Sequence, residues 1–217
     1  MNVDLSLYLV TDSRLASAAG HDLVEVVRAA VEGGVTAVQV REKSAPGADF
    51  LDVVCRIAEI VPDHVAVIVN DRVDVFLAAR AAGVRVAGVH VGQSDLPVDA
   101  VRTIIGTDAV LGLSASTEDE LRDAASSPAL IDYVGIGALH ATATKQDAPT
   151  PLGHEGFARL VEGSERPAVA IGGVTRADLP GLRAAGAAGA AVVSAICSAP
   201  DPADAARELR AAWESVR

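Results

Sequence analysis

Short apolar runs alternate with amphipathic helical stretches along the whole of this 217-residue chain. Glycine or polar turn residues bound each run, which is typical of buried strands, and the stretches between them carry apolar residues at helical spacing. The eight predicted strands cover residues 5–11, 37–42, 65–70, 88–91, 110–114, 133–137, 168–172 and 190–194. Eight strand–helix units favour a single-domain (βα)8 TIM barrel over residues 1–217, in preference to an open doubly wound sheet.

The composition limits the partners that such a barrel can bind. The formal net charge is −11, so the protein as a whole repels nucleic acid and acidic membrane surfaces, and we expect neither as a partner. No apolar run reaches the length of a membrane span and no secretory segment opens the chain, which predicts a soluble protein. Two cysteines, Cys55 and Cys197, form no motif with each other, which favours a cytoplasmic location.

The end of the second predicted strand carries an unusual set of polar residues, in the run Gln39-Val40-Arg41-Glu42-Lys43. Strand alternation directs Gln39, Arg41 and Lys43 to one face, while Val40 points to the other and packs under helices. Two cations and an amide on one enclosed face suit a phosphate or diphosphate. The alternative interpretation is a solvated strand end that binds nothing.

Carboxylates close the next two strands. Asn70-Asp71 ends the third strand, and Asp95 lies in the loop after the fourth. Carboxylate and amide oxygens are the groups that hold Mg²⁺ and a diphosphate, and no Cys/His cluster accompanies them, so Mg²⁺ suits this pair better than zinc. Alternatively, Asp95 only caps the helix behind Pro97.

The two faces of the later strands differ in residue size. We expect the large apolar residues to point outwards, namely Val67, Val69, Val89, Val91, Leu111, Leu113, Val169 and Ile171. The residues expected to point inwards are mostly glycines, namely Gly88, His90, Gly112, Ser114, Gly135, Gly137 and Gly172. A pocket floored by glycine can admit flat rings and lets backbone N–H groups approach a phosphate.

Two further turns suit a phosphate. Gly172-Gly173 follows the seventh strand and Val193-Ser194 follows the eighth, where many barrels of this class bind phosphate through backbone N–H groups. Tight turns that need glycine are the alternative. His90 is either a ligand contact or a satisfied core histidine, and no Ser-His-Asp or paired-carboxylate hydrolase pattern is visible.

Together these motifs resemble the thiamine-phosphate synthase family. In the family's order they are Tyr8-Leu9-Val10-Thr11-Asp12, Gln39-Val40-Arg41-Glu42-Lys43, Asn70-Asp71-Arg72, His90-Val91-Gly92-Gln93-Ser94-Asp95-Leu96-Pro97, Gly112-Leu113-Ser114, Thr142-Ala143-Thr144-Lys145, Ile171-Gly172-Gly173 and Val192-Val193-Ser194-Ala195-Ile196. Each motif is weak alone, but together they span nearly the whole chain and are highly specific.

The resemblance implies a transferase that joins 4-amino-2-methyl-5-(diphosphooxymethyl)pyrimidine to 4-methyl-5-(2-phosphooxyethyl)thiazole, or its carboxylated form. The products are thiamine phosphate and diphosphate. In the family, diphosphate leaves first, and the thiazole nitrogen captures the pyrimidine-stabilised cation. This chemistry requires leaving-group stabilisation and alignment more than a general base.

The resemblance also implies roles for individual residues. Gln39 contacts the pyrimidine, and Asp71 and Asp95 hold Mg²⁺. Arg41, Lys43, Ser114 and Lys145 are the catalytic groups around the diphosphate. The full set of expected substrate-binding positions is Gln39, Val40, Arg41, Glu42, Lys43, Asn70, Ser114, Thr142, Ala143, Thr144, Lys145, Gly173, Val193 and Ser194.

One departure from the family pattern lies after the sixth strand. The family places proline where this chain has Ala138 and Ala141, so we expect a looser loop and a less pre-organised thiazole site. Three alternatives remain open: a thiazole tautomerase-like isomerase, a non-catalytic barrel that binds thiamine precursors, and a phosphate-binding barrel with another substrate. The sequence does not give the oligomeric state, and a homo-oligomer is compatible with it.

Overall fold

The computed structural model describes residues 3–141 and 150–216 of the chain. Eight parallel strands form the sheet: β1 (Leu7–Val10), β2 (Ala37–Val40), β3 (Ala66–Asn70), β4 (Gly88–Val91), β5 (Val110–Ser114), β6 (Tyr133–Ile136), β7 (Ala168–Ala170) and β8 (Gly189–Val192). Each strand pairs with the next in chain order, and β8 pairs with β1, so the sheet closes. The predicted (βα)8 barrel is confirmed.

Helices connect the strands on the outside of the barrel. They are α1 (Ser13–Ala18), α2 (Leu23–Glu32), α3 (Gly47–Ile60), α4 (Val73–Ala81), α5 (Val98–Ile105), α6 (Glu118–Ser126), α7 (Gly153–Glu162), α8 (Leu179–Ala184), α9 (Ser194–Cys197) and α10 (Pro202–Glu214), with a 3₁₀ turn at Arg176–Asp178. Side-chain caps begin several of them. Asp22 accepts hydrogen bonds from the backbone at the start of α2, and Thr117 forms a capping box with Glu120 at α6. None of the helices in the described ranges has the length and apolar character needed to cross a membrane.

The apolar residues of the strands divide into two layers. One layer lies between the sheet and the helices and includes Val38, Val40 and Val67. The other fills the inside of the barrel and includes Tyr8, Ile68 and Tyr133. Successive strand residues point to opposite faces, so adjacent residues of one strand belong to different layers. This division confirms the outward orientation predicted for most of the large apolar strand residues.

Strand β7 has the opposite orientation from the one predicted. Val169 and Ile171 pack with the inner layer, while Ala168 and Ala170 face the helices. The prediction assumed that Gly172 belongs to the strand and points inwards, and it assigned the two faces of the strand from that residue. Gly172 instead lies in the turn beyond β7, at a φ of 90° that a regular strand does not allow. The size rule also failed in this strand, because the larger Val169 and Ile171 fill the inside of the barrel while the small alanines face the helices.

Several strands end earlier than predicted. Strand β2 ends at Val40, and the N–H of Arg41 donates to the Thr11 side-chain oxygen at 3.0 Å. Strand alternation therefore does not set the direction of Lys43, which is exposed. At the other end of the chain, Ser194 is not a strand residue, because it begins the short helix α9. The helix α1, which follows β1, was not predicted.

Candidate active site

A chain of hydrogen bonds crosses the inside of the barrel near the carboxyl ends of the strands. Gln39 Nε2 donates to the Tyr8 hydroxyl at 3.0 Å, and the Tyr8 and Tyr133 hydroxyls lie 2.8 Å apart. Tyr133 in turn lies 2.9 Å from His90 Nδ1, and His90 Nε2 lies 3.0 Å from the Ser114 hydroxyl. This series of hydrogen bonds thus joins two of the predicted substrate-binding residues, Gln39 on β2 and Ser114 on β5.

The inner-face glycines do not floor an open pocket as predicted. A Cβ atom at Gly112 would lie 2.3 Å from Tyr133 Cζ and 2.5 Å from His90 Nδ1, and one at Gly135 would lie 3.3 Å from His90 Cε1. The space beside these glycines is therefore occupied by aromatic rings of the protein itself. His90 is buried and has Tyr133 and Ser114 among its hydrogen-bond partners, a pattern that suits the core-histidine interpretation.

Asp71 lies in a strained turn at the end of β3. Its φ is +60°, and the Arg72 N–H donates to the Asn70 carbonyl at 2.7 Å across it, which is the hydrogen bond of a γ-turn. The Asp71 N–H also donates to the His90 carbonyl at 2.8 Å, so the turn is tied to β4. Non-glycine residues adopt this conformation rarely, and such outliers cluster at functional sites.

Asp71 and Asp95 lie close to each other, as the sequence predicts for a metal pair. Burial and the nearby Asp95 carboxylate raise the pKa of Asp71 to about 6, although a hydrogen bond from Asn70 and the charge of Arg41 act in the opposite direction. Two carboxylates this close repel each other, and a divalent cation between them removes the repulsion. The donors are oxygens, so the pair fits Mg²⁺. Asp95 also accepts a hydrogen bond from the Gly92 N–H at 2.7 Å, which orients its carboxylate towards the barrel end.

The residues after β2 have different environments. Arg41 is partly buried and close enough to Asp71 to affect its ionisation. Glu42 accepts a hydrogen bond from the Ser13 hydroxyl at 2.9 Å, while its other carboxylate oxygen is buried without a partner among the described residues. Lys43 is exposed, and the Val40 side chain is buried in the outer layer, so Val40 offers a substrate only its backbone.

Gly173 and Ser194, predicted to bind phosphate, line one cavity of about 290 Å³ at the ends of β7 and β8. Gly173 has a φ of +69°, and a Cβ there would lie 2.9 Å from the His140 Cβ, so the turn requires glycine. Val193 precedes Ser194 and is partly buried against the inner layer. The predicted positions are therefore brought together, on the opposite side of the barrel from Asp71 and Asp95.

The predicted residues Thr142, Ala143, Thr144 and Lys145 lie outside the described residues. The chain that precedes them is well anchored. Leu139 and His140 donate backbone hydrogen bonds of 2.9 Å to the carbonyls of Ile171 and Gly172. Ala138, at one of the two proline positions of the family, is buried, and its carbonyl accepts from the Leu152 N–H at 2.9 Å. Looser behaviour of the loop between these ends stays a prediction.

Two residues of the site were missed from the sequence. Tyr8 and Tyr133 connect Gln39 to His90, yet neither was assigned a role beyond its strand or motif. Strand alternation does predict the direction of Tyr133. Tyr133 precedes the inward-facing Gly135 by two residues and must therefore point to the same face. Nothing local marks the contact between the tyrosines, which lie 125 residues apart in the chain.

Comparison with known proteins relates the whole chain to one group. The model of the family described as thiamine monophosphate synthase matches residues 7–196. A thiamine-phosphate synthase of Azorhizobium caulinodans is 46% identical over 215 residues, which cover 99% of this chain and 97% of the relative. A thiamine-phosphate synthase of a Psychrobacter species is 44% identical and covers 94% of this chain and 93% of its own length.

The fold agrees with a solved structure of the same group. Thiamine phosphate pyrophosphorylase from Pyrococcus furiosus superposes with a TM-score of 0.85 at 33% sequence identity, covering 97% of this chain and 96% of that structure. The superposition includes almost the full length of both chains.

Proposed function

The chain belongs to the thiamine monophosphate synthase family and is an enzyme of thiamine biosynthesis, and we propose that it acts by Mg²⁺-assisted loss of diphosphate. The substrates are then the pyrimidine diphosphate and the thiazole phosphate that the sequence resemblance implies. In this mechanism the bond from the pyrimidine methylene carbon to the diphosphate oxygen breaks first. The thiazole nitrogen then forms the new C–N bond, and diphosphate keeps the electron pair of the broken bond.

The observation that carries this proposal is the convergence of Asp71, Asp95, Asn70 and Arg41. The Asn70 amide and the Arg41 charge both act on the Asp71 carboxylate, beside Asp95. A carboxylate pair suits a divalent cation, and a guanidinium suits phosphate oxygens. Mg²⁺ bound by Asp71 and Asp95 would stabilise the charge that develops on the departing diphosphate.

The other diphosphate contacts are assigned to Arg41, Lys43, Ser114 and Lys145. Ser114 reaches the site from the end of β5, with its hydroxyl held 3.0 Å from His90 Nε2. Lys43 is exposed and free to approach a phosphate from outside the barrel, and Lys145 is assigned by its motif alone. Charge-assisted hydrogen bonds of this kind gain strength as negative charge collects on the leaving group.

Gln39 is assigned to the pyrimidine ring. Its Nε2 donates a hydrogen bond to the Tyr8 hydroxyl, which fixes the orientation of the amide. The amide oxygen, Oε1, is then suited to accept a hydrogen bond from the exocyclic amine of the pyrimidine. Val40 and Glu42 contribute through backbone and carboxylate groups, respectively. Alignment of the two rings before diphosphate leaves is the main requirement of this reaction, since the cation has a short lifetime in water.

The thiazole phosphate is assigned to the cavity that Gly173 and Ser194 share, with Val193 beside it. Thr142, Ala143 and Thr144 are assigned to the same substrate by their motif alone. A turn that permits only glycine allows backbone N–H groups to come close to phosphate oxygens. The tautomerase-like alternative would use a similar phosphate site, but would require neither the Asp71–Asp95 pair nor the cations around a diphosphate.

Location and assembly remain part of the proposal. Both cysteines, Cys55 and Cys197, are free thiols in the structure, which suits a reducing compartment such as the cytoplasm. Among the described residues, the exposed large apolar side chains are Leu77, Leu96, Ile104 and Leu130, and burial of some of them in a homo-oligomer is compatible with the sequence. Sedimentation of the purified chain would measure its assembly.

The test of the proposed mechanism is diphosphate release by the purified protein with both substrates and Mg²⁺, with and without EDTA. We expect release to depend on the metal, and thiamine phosphate to form in step with diphosphate. Omission of the thiazole phosphate is the control for simple hydrolysis. Equal rates in EDTA after removal of bound metal would contradict the assignment of Mg²⁺, while absence of product with tight substrate binding would favour a non-catalytic binding role.

A further inference from the structure

Three side chains with metal-binding atoms lie together at the ends of β6 and β7, apart from the Asp71–Asp95 pair. His140 Nε2 and His154 Nε2 lie 2.9 and 2.8 Å from the same oxygen, Asp178 Oδ1. The ligand atoms of all three lie within 4.8 Å of one another. We propose that His140, His154 and Asp178 form a binding site for one divalent transition-metal ion, of which Zn²⁺ is the representative.

The backbone holds each of the two histidines in place. The His140 N–H donates to the Gly172 carbonyl at 2.9 Å, so this residue extends the pairing beyond β6. His154 lies in the first turn of α7, and the Gly153 N–H before it donates to the Leu139 carbonyl at 2.9 Å. The two rings therefore meet, with centroids 5.8 Å apart, because separate segments of the chain are fixed side by side.

The carboxylate of Asp178 is oriented by its role in the fold. Its Oδ2 accepts hydrogen bonds from the Thr175 N–H and hydroxyl at 2.8 and 2.7 Å, in the capping box of the 3₁₀ turn. This leaves Oδ1 directed at the two imidazoles. Hydrogen bonds that fix a ligating carboxylate are typical of the surroundings of protein metal sites.

Charge and exposure also suit an ion. The carboxylate of Asp178 accepts two hydrogen bonds from Thr175 and lies against both imidazoles. Its side chain is only 8% exposed, while the rings are 40% and 47% exposed. Within residues 3–141 and 150–216, Asp178 forms ion pairs with these histidines and with no lysine or arginine. A cation thus has an approach from solvent and a buried charge to neutralise.

The donor set selects the class of ion. Two imidazole nitrogens and one carboxylate oxygen suit Zn²⁺, Ni²⁺ or Cu²⁺, whereas Mg²⁺ prefers oxygen ligands alone. Ligand atoms in a tetrahedral zinc site lie about 3.3 Å apart, so rotation of the two exposed rings is enough to close the set. Each neutral ring would carry its proton on Nδ1 and present the Nε2 lone pair, and water would take the fourth position.

A bound ion would connect three parts of the barrel end. It would join the segment after β6, the start of α7 and the turn before α8, and would stabilise the native state by mass action. At a hundredfold excess of metal over Kd, the melting temperature of a chain of this size should rise by about 5 °C or more. This inference does not depend on the proposed reaction, and its test uses no substrate.

The test is titration of the chelator-treated full-length protein with Zn²⁺ by calorimetry, with excess Mg²⁺ present to occupy the Asp71–Asp95 pair. Co²⁺ serves as a second probe, because its visible absorption reports ligand number and geometry. His140→Ala and His154→Ala are the test variants. His21→Ala is the matched control, since His21 is partly buried like His140 and has its Nε2 3.0 Å from a backbone carbonyl, that of Ala199.

We expect one Zn²⁺ per chain at micromolar Kd or tighter, with binding weakened roughly a hundredfold or more in each test variant and unchanged in His21→Ala. Circular dichroism will show whether the variants fold, and His154→Gln, which keeps a donor towards Asp178, provides a second variant of that position. Absence of binding, or equal Zn²⁺ binding by the wild type and both test variants, would overturn the proposal. A loss confined to the test variants would support it even if the protein proved inactive with thiamine precursors.

Discussion

The Tyr8 and Tyr133 hydroxyls meet inside the barrel at 2.8 Å, with their rings edge to face and 6.0 Å apart. Both side chains are almost fully buried, and each hydroxyl has another partner, Gln39 for Tyr8 and His90 for Tyr133. The pair therefore couples the orientation of the Gln39 amide, which we assign to the pyrimidine, to that of the histidine beside Ser114. Neither tyrosine touches substrate in our assignment, so both are positioning residues.

Tyr133→Phe tests this coupling. The variant keeps the ring that fills the space beside Gly112, but leaves Tyr8 and His90 each without one hydrogen bond. We expect kcat/KM to fall roughly tenfold and the free energy of unfolding to fall by about 1–3 kcal/mol, the usual cost of an unsatisfied buried polar group. Steady-state kinetics and urea unfolding measure the two effects. A stability loss with unchanged kinetics would reduce the role of Tyr133 to packing.

Gly112→Ala tests the fit of the rings to the inner face. The added Cβ would lie 2.3 Å from Tyr133 and 2.5 Å from His90, and neither buried ring can move far. We expect a loss of several kcal/mol in the free energy of unfolding, with activity reduced through displacement of His90. Gly163→Ala is the matched control, because its Cβ would find its nearest neighbour at 3.7 Å. A well-folded, fully active Gly112→Ala protein would contradict the geometry.

The local part of the fold could be predicted from the sequence because it depends on alternation within single strands. Leu111 and Leu113 are large and alternate with Gly112 and Ser114, so their outward orientation followed directly. In β7 the same rule, with Gly172 as the assumed inward residue, placed Val169 and Ile171 outwards. That prediction was wrong, because Gly172 lies beyond the strand and both residues pack inside the barrel.

Only those residues of the site that belong to recognisable sequence motifs could be predicted. Asp71 and Asp95 follow successive strands, so parallel strand order brings them together without further information. The tyrosine pair depends on closure of the barrel, because β1 and β6 are not neighbouring strands. The group of His140, His154 and Asp178 follows the neighbouring strands β6 and β7, but its contacts depend on how the segments after these strands pack. Their members come from positions whose proximity is set by packing, and no spacing in the sequence predicts it.

A buried arginine provides a prediction about stability. The Arg102 guanidinium donates at 2.6 to 2.9 Å to the carbonyls of Gly106, Ala109, Ala129 and Leu130 and to the Asp132 carboxylate. Arg102→Met keeps most of the buried stem but leaves these acceptors without their donor, so we expect a loss of about 3 kcal/mol or more. Arg122→Met, which removes an exposed ion pair with Asp119, should change stability little. Similar losses in the two variants, measured by urea unfolding, would contradict this view of Arg102.

Cys197 provides a prediction about alkaline pH. Burial raises the pKa of its thiol to about 11 in the folded protein, above the unfolded value of roughly 8.5. Between these values the unfolded state binds fewer protons than the native state, so stability is complete below pH 8 or so and falls as the pH rises towards 11.

Cys197→Ala should lose less stability over this range than the wild type. We expect the two pH profiles of unfolding free energy to converge by roughly 1–2 kcal/mol between about pH 8 and pH 10. The raised pKa values of Tyr8 and Tyr133 act in the same direction in both proteins, and so cancel in the comparison. Parallel profiles would mean that the Cys197 thiol ionises as readily in the folded chain as in the unfolded one.

Asp71→Ala tests the metal assignment most directly. The variant removes one of two carboxylates that lie together and leaves Asp95 with its hydrogen bond from the Gly92 N–H, so the fold should persist. It also replaces a residue at φ +60° with another that disfavours this conformation, so Asp71→Asn, which tolerates it better, is the companion variant. We expect both to lose Mn²⁺ binding in paramagnetic titration and to lower kcat by roughly a hundredfold or more.

Asp74→Ala is the matched control, since Asp74 lies three residues away and pairs with Arg72 at the surface. If both Asp71 variants bound Mn²⁺ and turned over like the Asp74 control, the cation would have to lie elsewhere, and Asp71 would serve only to shape the turn after β3.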